Sequence, residues 1–373
     1  MKICENCFAD KNIKGIIRSG NIKGKCDICG ATDCFIYDTE IADSLVPYFD
    51  EIFSAYTPSS ELKIDFPNNK KAFLAEKLKR DWNLFVPNLT IEDVNKIIKA
   101  VSLDAYDNYP ALFTEKVGVA AFQDEELLSR RSILKGSSWE DFVYKIKCVN
   151  RFHIRDFNEE RLEYYCRLLT QIYKCGTCFY RTRIKKDSSK KPFSKKEMSA
   201  PPPNLSGNGR INPKGISCLY LCEDKDTPFY ETRAQHLDYV YLAEFQLKKD
   251  ISIADLGQIK KINPVIIDST EGIASDYLIN KTLLEKISSA MTRPQRSGDS
   301  ELEYLPTQFI ADFIKSLVKE DNSPLFRGIA FESAAHPGFN NLASFYPDDF
   351  DVGEIKLYEV NQLNYQYREI MKH

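Results

Sequence analysis

Through the first half of the chain, apolar residues recur at spacings of three and four. Residues 42–55 place Leu45, Phe49, Ile52 and Phe53 on one face, and residues 70–82 do the same with Phe73, Leu74, Lys77, Leu78 and Trp82. Each predicts an amphipathic helix. Thr90 stands as the N-cap of a helix over 91–101, with Val94, Ile97 and Ile98 in one stripe. Asn158 opens another, expected to run over 159–173 through Leu162, Tyr165, Leu169 and Ile172. After Cys178 the pattern shortens and alternates. Strands are expected at 179–184, 217–221, 239–247, 251–256, 328–331 and 342–346, with one amphipathic helix at 306–318. In the run 239–247, Tyr239, Tyr241, Ala243, Phe245 and Leu247 fall on one face. Residues 185–214 form a long connection, lysine-rich over 185–196 and carrying a proline triplet; loops of that length are functional or disordered. The lysine run is expected to be a solvated hinge.

These elements predict an α+β protein in three parts: a small cysteine-rich region over 1–40, a mainly helical region over 41–174, and a mixed α/β region over 175–373. Composition narrows the class without naming it. The 51 basic and 54 acidic residues leave a net charge of −3, and 43% of the 373 residues are apolar. That is globular rather than disordered composition, with no overall pull toward nucleic acid or membrane. The longest apolar runs, such as 117–122, are far too short to span a bilayer. No secretory signal is visible in the first twenty residues, so a soluble, cytoplasmic protein is expected.

A reducing compartment changes how the eleven cysteines read, because a disulfide framework is not expected there. Cys4 and Cys7 form one CxxC pair and Cys26 and Cys29 another, eighteen residues apart. Two such pairs make the ligand set of a Cys4 zinc ribbon, in which four thiolates close a tetrahedral Zn²⁺ site and leave no position open for substrate. A structural role is expected. Cys34 is then a packing residue, and the lone pair Cys175 and Cys178, with no second pair at ribbon distance, reads as structural thiols. The segment 11–25, with Lys11, Lys14, Arg18, Lys23 and Lys25, reads as an exposed, solvated loop of the ribbon.

Four stretches of the C-terminal region carry chemistry together. They are Phe179-Tyr180-Arg181-Thr182-Arg183, then Gly209-Arg210-Ile211-Asn212-Pro213-Lys214-Gly215 leading to Tyr220, then Thr227-Pro228-Phe229-Tyr230-Glu231, and Gly328-Ile329-Ala330-Phe331-Glu332-Ser333. Arg210, Tyr220 ten residues on, Glu231 eleven further, and the later Ser333 resemble the RES family, named for its Arg, Glu and Ser. The resemblance covers roughly residues 175–350. It implies an ADP-ribosyltransferase-like fold that cleaves NAD⁺ to nicotinamide and ADP-ribose, or to ADP-ribose 1″-phosphate when phosphate is the acceptor. It also implies a toxin held in check by an antitoxin or other regulatory protein, by a homo-oligomeric state, or by the N-terminal half. The N-terminal region is similar to the HEPN-type helical module often fused to RES. HEPN ribonucleases carry an Arg-x4-6-His motif; here only His153 lies in the helical region, with Lys147 and Cys148 where the arginine would stand. A scaffold or regulatory role is expected instead.

The chemistry of the residues agrees with the resemblance. Cleaving the nicotinamide–ribose bond passes through an oxocarbenium-like centre, which a carboxylate stabilises. Glu231 suits that role, with Thr227 expected as N-cap and Pro228 at the first helical position. Arg181 and Arg210 are candidates for the pyrophosphate, since guanidinium binds phosphate oxygens bidentately. Tyr220 is a candidate to stack on the nicotinamide ring, and Ser333 to bond ribose or carboxamide. Taken singly, each is an ordinary surface or strand residue; their joint spacing carries the reading. Two alternatives stay open: a mono-ADP-ribosyltransferase acting on protein or RNA, and a nucleic-acid or protein binding module with a degenerate pocket.

Overall fold

A computed structural model describes residues 1–185, 191–262, 273–293 and 300–363. The chain gathers into two compact units whose segments alternate along the sequence. The first comprises Met1–Trp139, Arg155–Leu168 and Gln258–Lys286; the second comprises Glu140–Ile154, Leu169–Gly257 and Ile287–His373. Among the described residues, no helix is long and apolar enough to cross a membrane.

The first unit begins with a three-stranded sheet of β1 (Lys2–Cys4), β2 (Lys23–Gly24) and β3 (Cys34–Asp38), in the order β1-β3-β2. The segment expected as an exposed loop contains a helix, Lys11–Ser19. Asp10 starts it by accepting from the amides of Asn12 and Ile13 at 2.9 and 2.8 Å, and Ile13 and Ile17 bury its inner stripe. The basic side chains drew attention to the polar face; two isoleucines four apart, behind an aspartate cap, were the helix signal.

Farther on, the expected amphipathic helices form. Val46–Ser54 buries Phe49, Ile52 and Phe53; the helix expected over 70–82 is confined to Leu74–Asp81, where it buries Leu74 and Leu78, while Phe73 falls in a short strand and is exposed. Ile91–Val101 is opened by a capping box between Thr90 and Asp93. A second small sheet joins β4 (Thr57–Pro58), β5 (Ala72–Phe73) and β6 (Lys116–Gly118). Near the end of this unit's sequence, Asn280 is fully buried in the helix Ile273–Thr292. Its Oδ1 accepts from the Ile133 amide at 2.8 Å, and its Nδ2 donates to the carbonyls of Arg131 and Asp276 at 2.9 Å. Asp276 in turn receives Arg131 at 2.8 Å and Arg161 at 3.0 Å.

The second unit is built on one eight-stranded sheet. Its strands are β7 (Thr170–Tyr173), β8 (Cys178–Lys185), β9 (Leu219–Cys222), β10 (Tyr239–Leu247), β11 (Ile251–Asp255), β12 (Gly328–Glu332), β13 (Asn340–Ser344) and β14 (Phe350–Glu359). Their order is β14-β10-β8-β9-β13-β12-β11-β7, antiparallel throughout except for the β11–β12 pair. The expected helix over 159–173 stops at Leu168. Beyond it, Thr170–Tyr173 pairs with β11, Ile251 opposite Tyr173; a strand edge in need of a neighbour outweighs four residues of helical periodicity. Phe179, Leu219, Leu221, Tyr241, Ala243, Phe245, Leu247 and Leu342 fill the core on one face of this sheet. The alternation in β10 is as expected, but Val240 and Leu242 on its other face are buried as well. Part of the connection before β9 is anchored: the short helix Lys195–Met198 has a Ser194–Glu197 capping box and buries Met198. Of the lysine run, Lys186 and Lys190 lie outside the described residues.

The Asn280 network sets a stability expectation. Asn280→Ala removes the side-chain partner of the buried Ile133 amide and of the Arg131 carbonyl, and should cost about 1–3 kcal/mol in chemical denaturation; no change would show that these groups find other partners.

Candidate functional site

Strand register assembles the site in the second unit. β9 lies between β8 and β13, with Cys222 opposite both Tyr180 and Asn341, and Tyr220 opposite Ala343. This puts Tyr180 on β8, Tyr220 and Cys222 on β9 and Asn341 on β13 on one face of the sheet; Arg181, the next residue of β8 and opposite Ala243, also borders the cavity. The helix Thr227–Glu231 follows β9 after a short turn. A cavity of about 480 Å³ opens here, lined by Arg181, Arg210, Tyr220, Glu231 and Asn341, with Tyr230, Met291 and Tyr304 among the remaining walls.

Glu231 is the last residue of its helix. Its Oε1 accepts from the Ser333 hydroxyl and from Asn341 Nδ2, both at 2.6 Å. With one carboxylate oxygen held from β13 and from the turn after β12, Oε2 is left for the cavity. Ser333 sits behind the carboxylate: it is buried, it donates to Glu231, and it accepts from the His336 amide at 3.0 Å. Its hydroxyl is therefore occupied rather than presented to a ligand. Asn341, which sequence reading did not single out, lies in the Asn-Leu-Ala-Ser-Phe strand; only the sheet register shows that it faces Glu231.

Thr227 is the first residue of the helix rather than its cap, and Asp226 precedes it. The cap function falls to Asp224, whose Oδ1 accepts from the amides of Asp226 and Thr227 at 2.9 Å and whose Oδ2 accepts the Thr227 hydroxyl at 2.5 Å. Asp224 is partly buried, which opposes its charge, yet these donors together bring its carboxyl below the usual aspartate range.

The loop carrying Arg210 is closely built. Gly209 is required, because a Cβ there would meet Asn212 Oδ1 at 2.6 Å and Tyr220 Oη at 2.7 Å. Buried Asn212 ties the loop across itself, donating to the carbonyls of Gly207 and Ile216 at 3.0 and 2.9 Å. Tyr220 Oη donates to Asn212 Oδ1 at 2.7 Å and accepts from the Ile211 amide at 3.3 Å. Gln308 Nε2 donates to the Gly209 carbonyl at 2.7 Å. Thus the Tyr220 hydroxyl is committed to shaping the loop while the ring lines the cavity, and burial pushes the phenol far above its ordinary range. Arg210 Nη1 donates to the Met291 carbonyl at 2.9 Å, which leaves most of its donors available.

Arg181 stands out electrostatically. Burial, with Arg183 nearby, lowers its pKa to about 10, so it stays charged near neutrality. Its Nη1 is buried and has no hydrogen-bond partner. A buried guanidinium donor without a partner costs free energy that an anion beside it would offset.

The four N-terminal cysteines form a separate site in the first unit. Their sulfurs all lie within 4.8 Å of one another, with Cys4–Cys7 at 3.8 Å, Cys7–Cys26 at 3.7 Å and Cys4–Cys29 at 3.4 Å. A tetrahedral ion with four thiolate bonds of about 2.3 Å spaces its sulfurs about 3.8 Å apart, so the residues fit. The amides of Cys4 and Ile28 point at Cys26 Sγ from 3.3 and 3.4 Å, and Gly30, at φ +73°, makes the turn that follows. Burial raises the Cys4 thiol, and its hydrogen bond with Cys26 raises that of Cys7; a cation is what would let all four ionise. Cys34 bonds only backbone carbonyls. Cys175 Sγ donates to the Lys248 carbonyl and Cys178 lies beside Glu244. No second cluster of three or more such ligands forms among the described residues.

The RES domain model matches residues 179–367 of the chain, which takes in the whole of this cavity. A search of curated proteins returned no match, and neither did a search of solved structures.

The cysteine geometry predicts one tightly held divalent ion per chain by elemental analysis, lost on dialysis of the Cys7→Ser protein. A metal-free wild-type protein with an intact N-terminal sheet would refute it.

Proposed function

Because the chain belongs to the RES domain family over residues 179–367, we propose that it is an NAD⁺-degrading enzyme that cleaves the nicotinamide–ribose bond. One observation carries the reading. A carboxylate with one oxygen fixed, Glu231, shares a cavity with two guanidinium groups, one of which has a buried donor without a partner. That is a place for a cationic glycosidic centre beside a doubly negative pyrophosphate.

In this reading Arg181 and Arg210 hold the pyrophosphate, as fork-shaped donors matched to phosphate oxygens. Glu231 Oε2 stands near the ribose carbon that bears nicotinamide. As the C–N bond breaks, its electron pair passes to the ring nitrogen and neutralises it, and positive charge builds on the ribose carbon and ring oxygen. The carboxylate stabilises that charge and accepts a proton from an attacking water. Water as nucleophile gives ADP-ribose; phosphate gives its 1″-phosphate. Ser333 and Asn341 act through Glu231, and Tyr220 through the loop that presents Arg210. An ADP-ribosyltransferase-like fold, cytoplasmic placement and restraint by an antitoxin-like protein, a homo-oligomeric state or the N-terminal half belong to the same proposal. For the cysteine cluster, Zn²⁺ is the proposed occupant, since it favours four-thiolate tetrahedra. It would supply folding energy to the ribbon and take no part in the reaction.

The test is incubation with NAD⁺ labelled in the adenine, with and without phosphate, and identification of products. Free nicotinamide with ADP-ribose or its phosphate supports the proposal; label retained on protein or RNA would instead favour a mono-ADP-ribosyltransferase. Glu231→Gln keeps the shape but removes the charge, and should slow nicotinamide release by about 10²–10⁴-fold at an unchanged melting temperature. Equal NAD⁺ loss by this variant would sink the assignment.

A further inference from the structure

The turn 333–339 after β12 is closed on itself. The Ser333 amide donates to the Phe339 carbonyl at 2.8 Å, the Phe339 amide to the His336 carbonyl at 3.4 Å, and the Gly338 amide to Glu332 Oε1 at 3.2 Å. Gly338, at φ +92°, permits the reversal. This turn touches the Thr227–Glu231 helix at both ends. At the C-terminal end, Ser333 bonds Glu231. At the N-terminal end, His336 Nδ1 lies 2.7 Å from Thr227 Oγ1. Between these points the His336 ring stacks on Tyr230, with centroids 4.6 Å apart and planes 15° apart, and on Phe339 at 4.2 Å and 12°.

Proton counting settles the direction of the Thr227–His336 bond. Asp224 is ionised and can only accept, so the single hydroxyl proton of Thr227 goes to Asp224 Oδ2. Thr227 Oγ1 is then an acceptor toward the imidazole, and the proton in that contact must sit on Nδ1. The chain reads Asp224 carboxylate, Thr227 hydroxyl, His336 Nδ1–H, each donating to the one before it. A five-residue helix has little stability of its own, and its direction is set by what grips it.

We infer that His336 is a positioning residue: by donating from Nδ1 to Thr227 it clamps the turn 333–339 to the start of the Thr227–Glu231 helix and thereby fixes where Glu231 stands in the cavity. The inference rests on the reading of Glu231 as the carboxylate facing the ribose. Without the clamp, Ser333 and Asn341 still hold Oε1, but the helix can pivot about that end and carry Oε2 with it.

The full-length protein tests this in two ways. In a long-range ¹H–¹⁵N spectrum of the wild type, the His336 ring proton should reside on Nδ1; a ring protonated on Nε2 alone overturns the clamp. In steady-state kinetics with NAD⁺, His336→Phe keeps the ring stack but has no donor. Since small misplacements of a reacting group are costly, its kcat should fall about tenfold with KM within about twofold of wild type. His336→Asn restores an N–H near the Nδ1 position and should recover kcat to within about threefold of wild type. Wild-type kcat in the phenylalanine variant, or an asparagine variant as slow as it, refutes the inference. A wild-type protein that releases no nicotinamide overturns the NAD⁺ reading alone, and the nitrogen spectrum then decides the clamp by itself.

Discussion

The hydrogen bonds that converge on Glu231 Oε1 are what the rest of the C-terminal unit is arranged to make. They need β13 to lie between β9 and β12 in a register that puts Asn341 opposite Cys222, and they need the turn after β12 to bring Ser333 back toward β9. A slip of one residue in β13 would turn Asn341 to the other face of the sheet. The apolar core of Leu219, Leu221, Leu342 and Ala330 holds that register. The placement of one carboxylate is thus maintained by ordinary apolar side chains of the sheet core.

Charge in the cavity is managed asymmetrically. The acid has two donors on one oxygen and keeps the other open, whereas Arg210 spends one nitrogen on a carbonyl and Arg181 has a buried donor with no partner. Such a deficit destabilises the protein and is relieved by an anion. The loop 206–216 that carries Arg210 is held by the bonds of Asn212, Tyr220 and Gln308.

Much of the fold was legible in the chain because it depends on local chemistry. The capping residues Thr90 and Asp93, the periodicity behind Phe49 and Phe53, and the alternation through β10 act over a few residues and survive any tertiary context. The two CxxC pairs belong to the same class, since each brings two sulfurs together by its own turn. The helix Lys11–Ser19 was also there to be seen in Asp10, Ile13 and Ile17, behind a conspicuous run of lysines. The strand Thr170–Tyr173 was not: its residues suit a helix as well, and the choice fell to β11, eighty residues away.

The resemblance to the RES family brought out Arg210, Tyr220, Glu231 and Ser333 at their intervals, and Arg181 stood out as a second guanidinium near a strand start. What it left open was which of them meets a ligand and which holds another residue in place. Ser333 and the Tyr220 hydroxyl turn inward, Asn341 and His336 enter from segments more than a hundred residues from Glu231, and Asp224 replaces Thr227 as the cap. Hydrogen-bond direction and partner choice are settled by the distances between strands and turns remote in sequence, and those distances exist only once the sheet has formed. Residue type determined what chemistry was available here; the register of β9, β13 and β12 decided which groups were free to perform it.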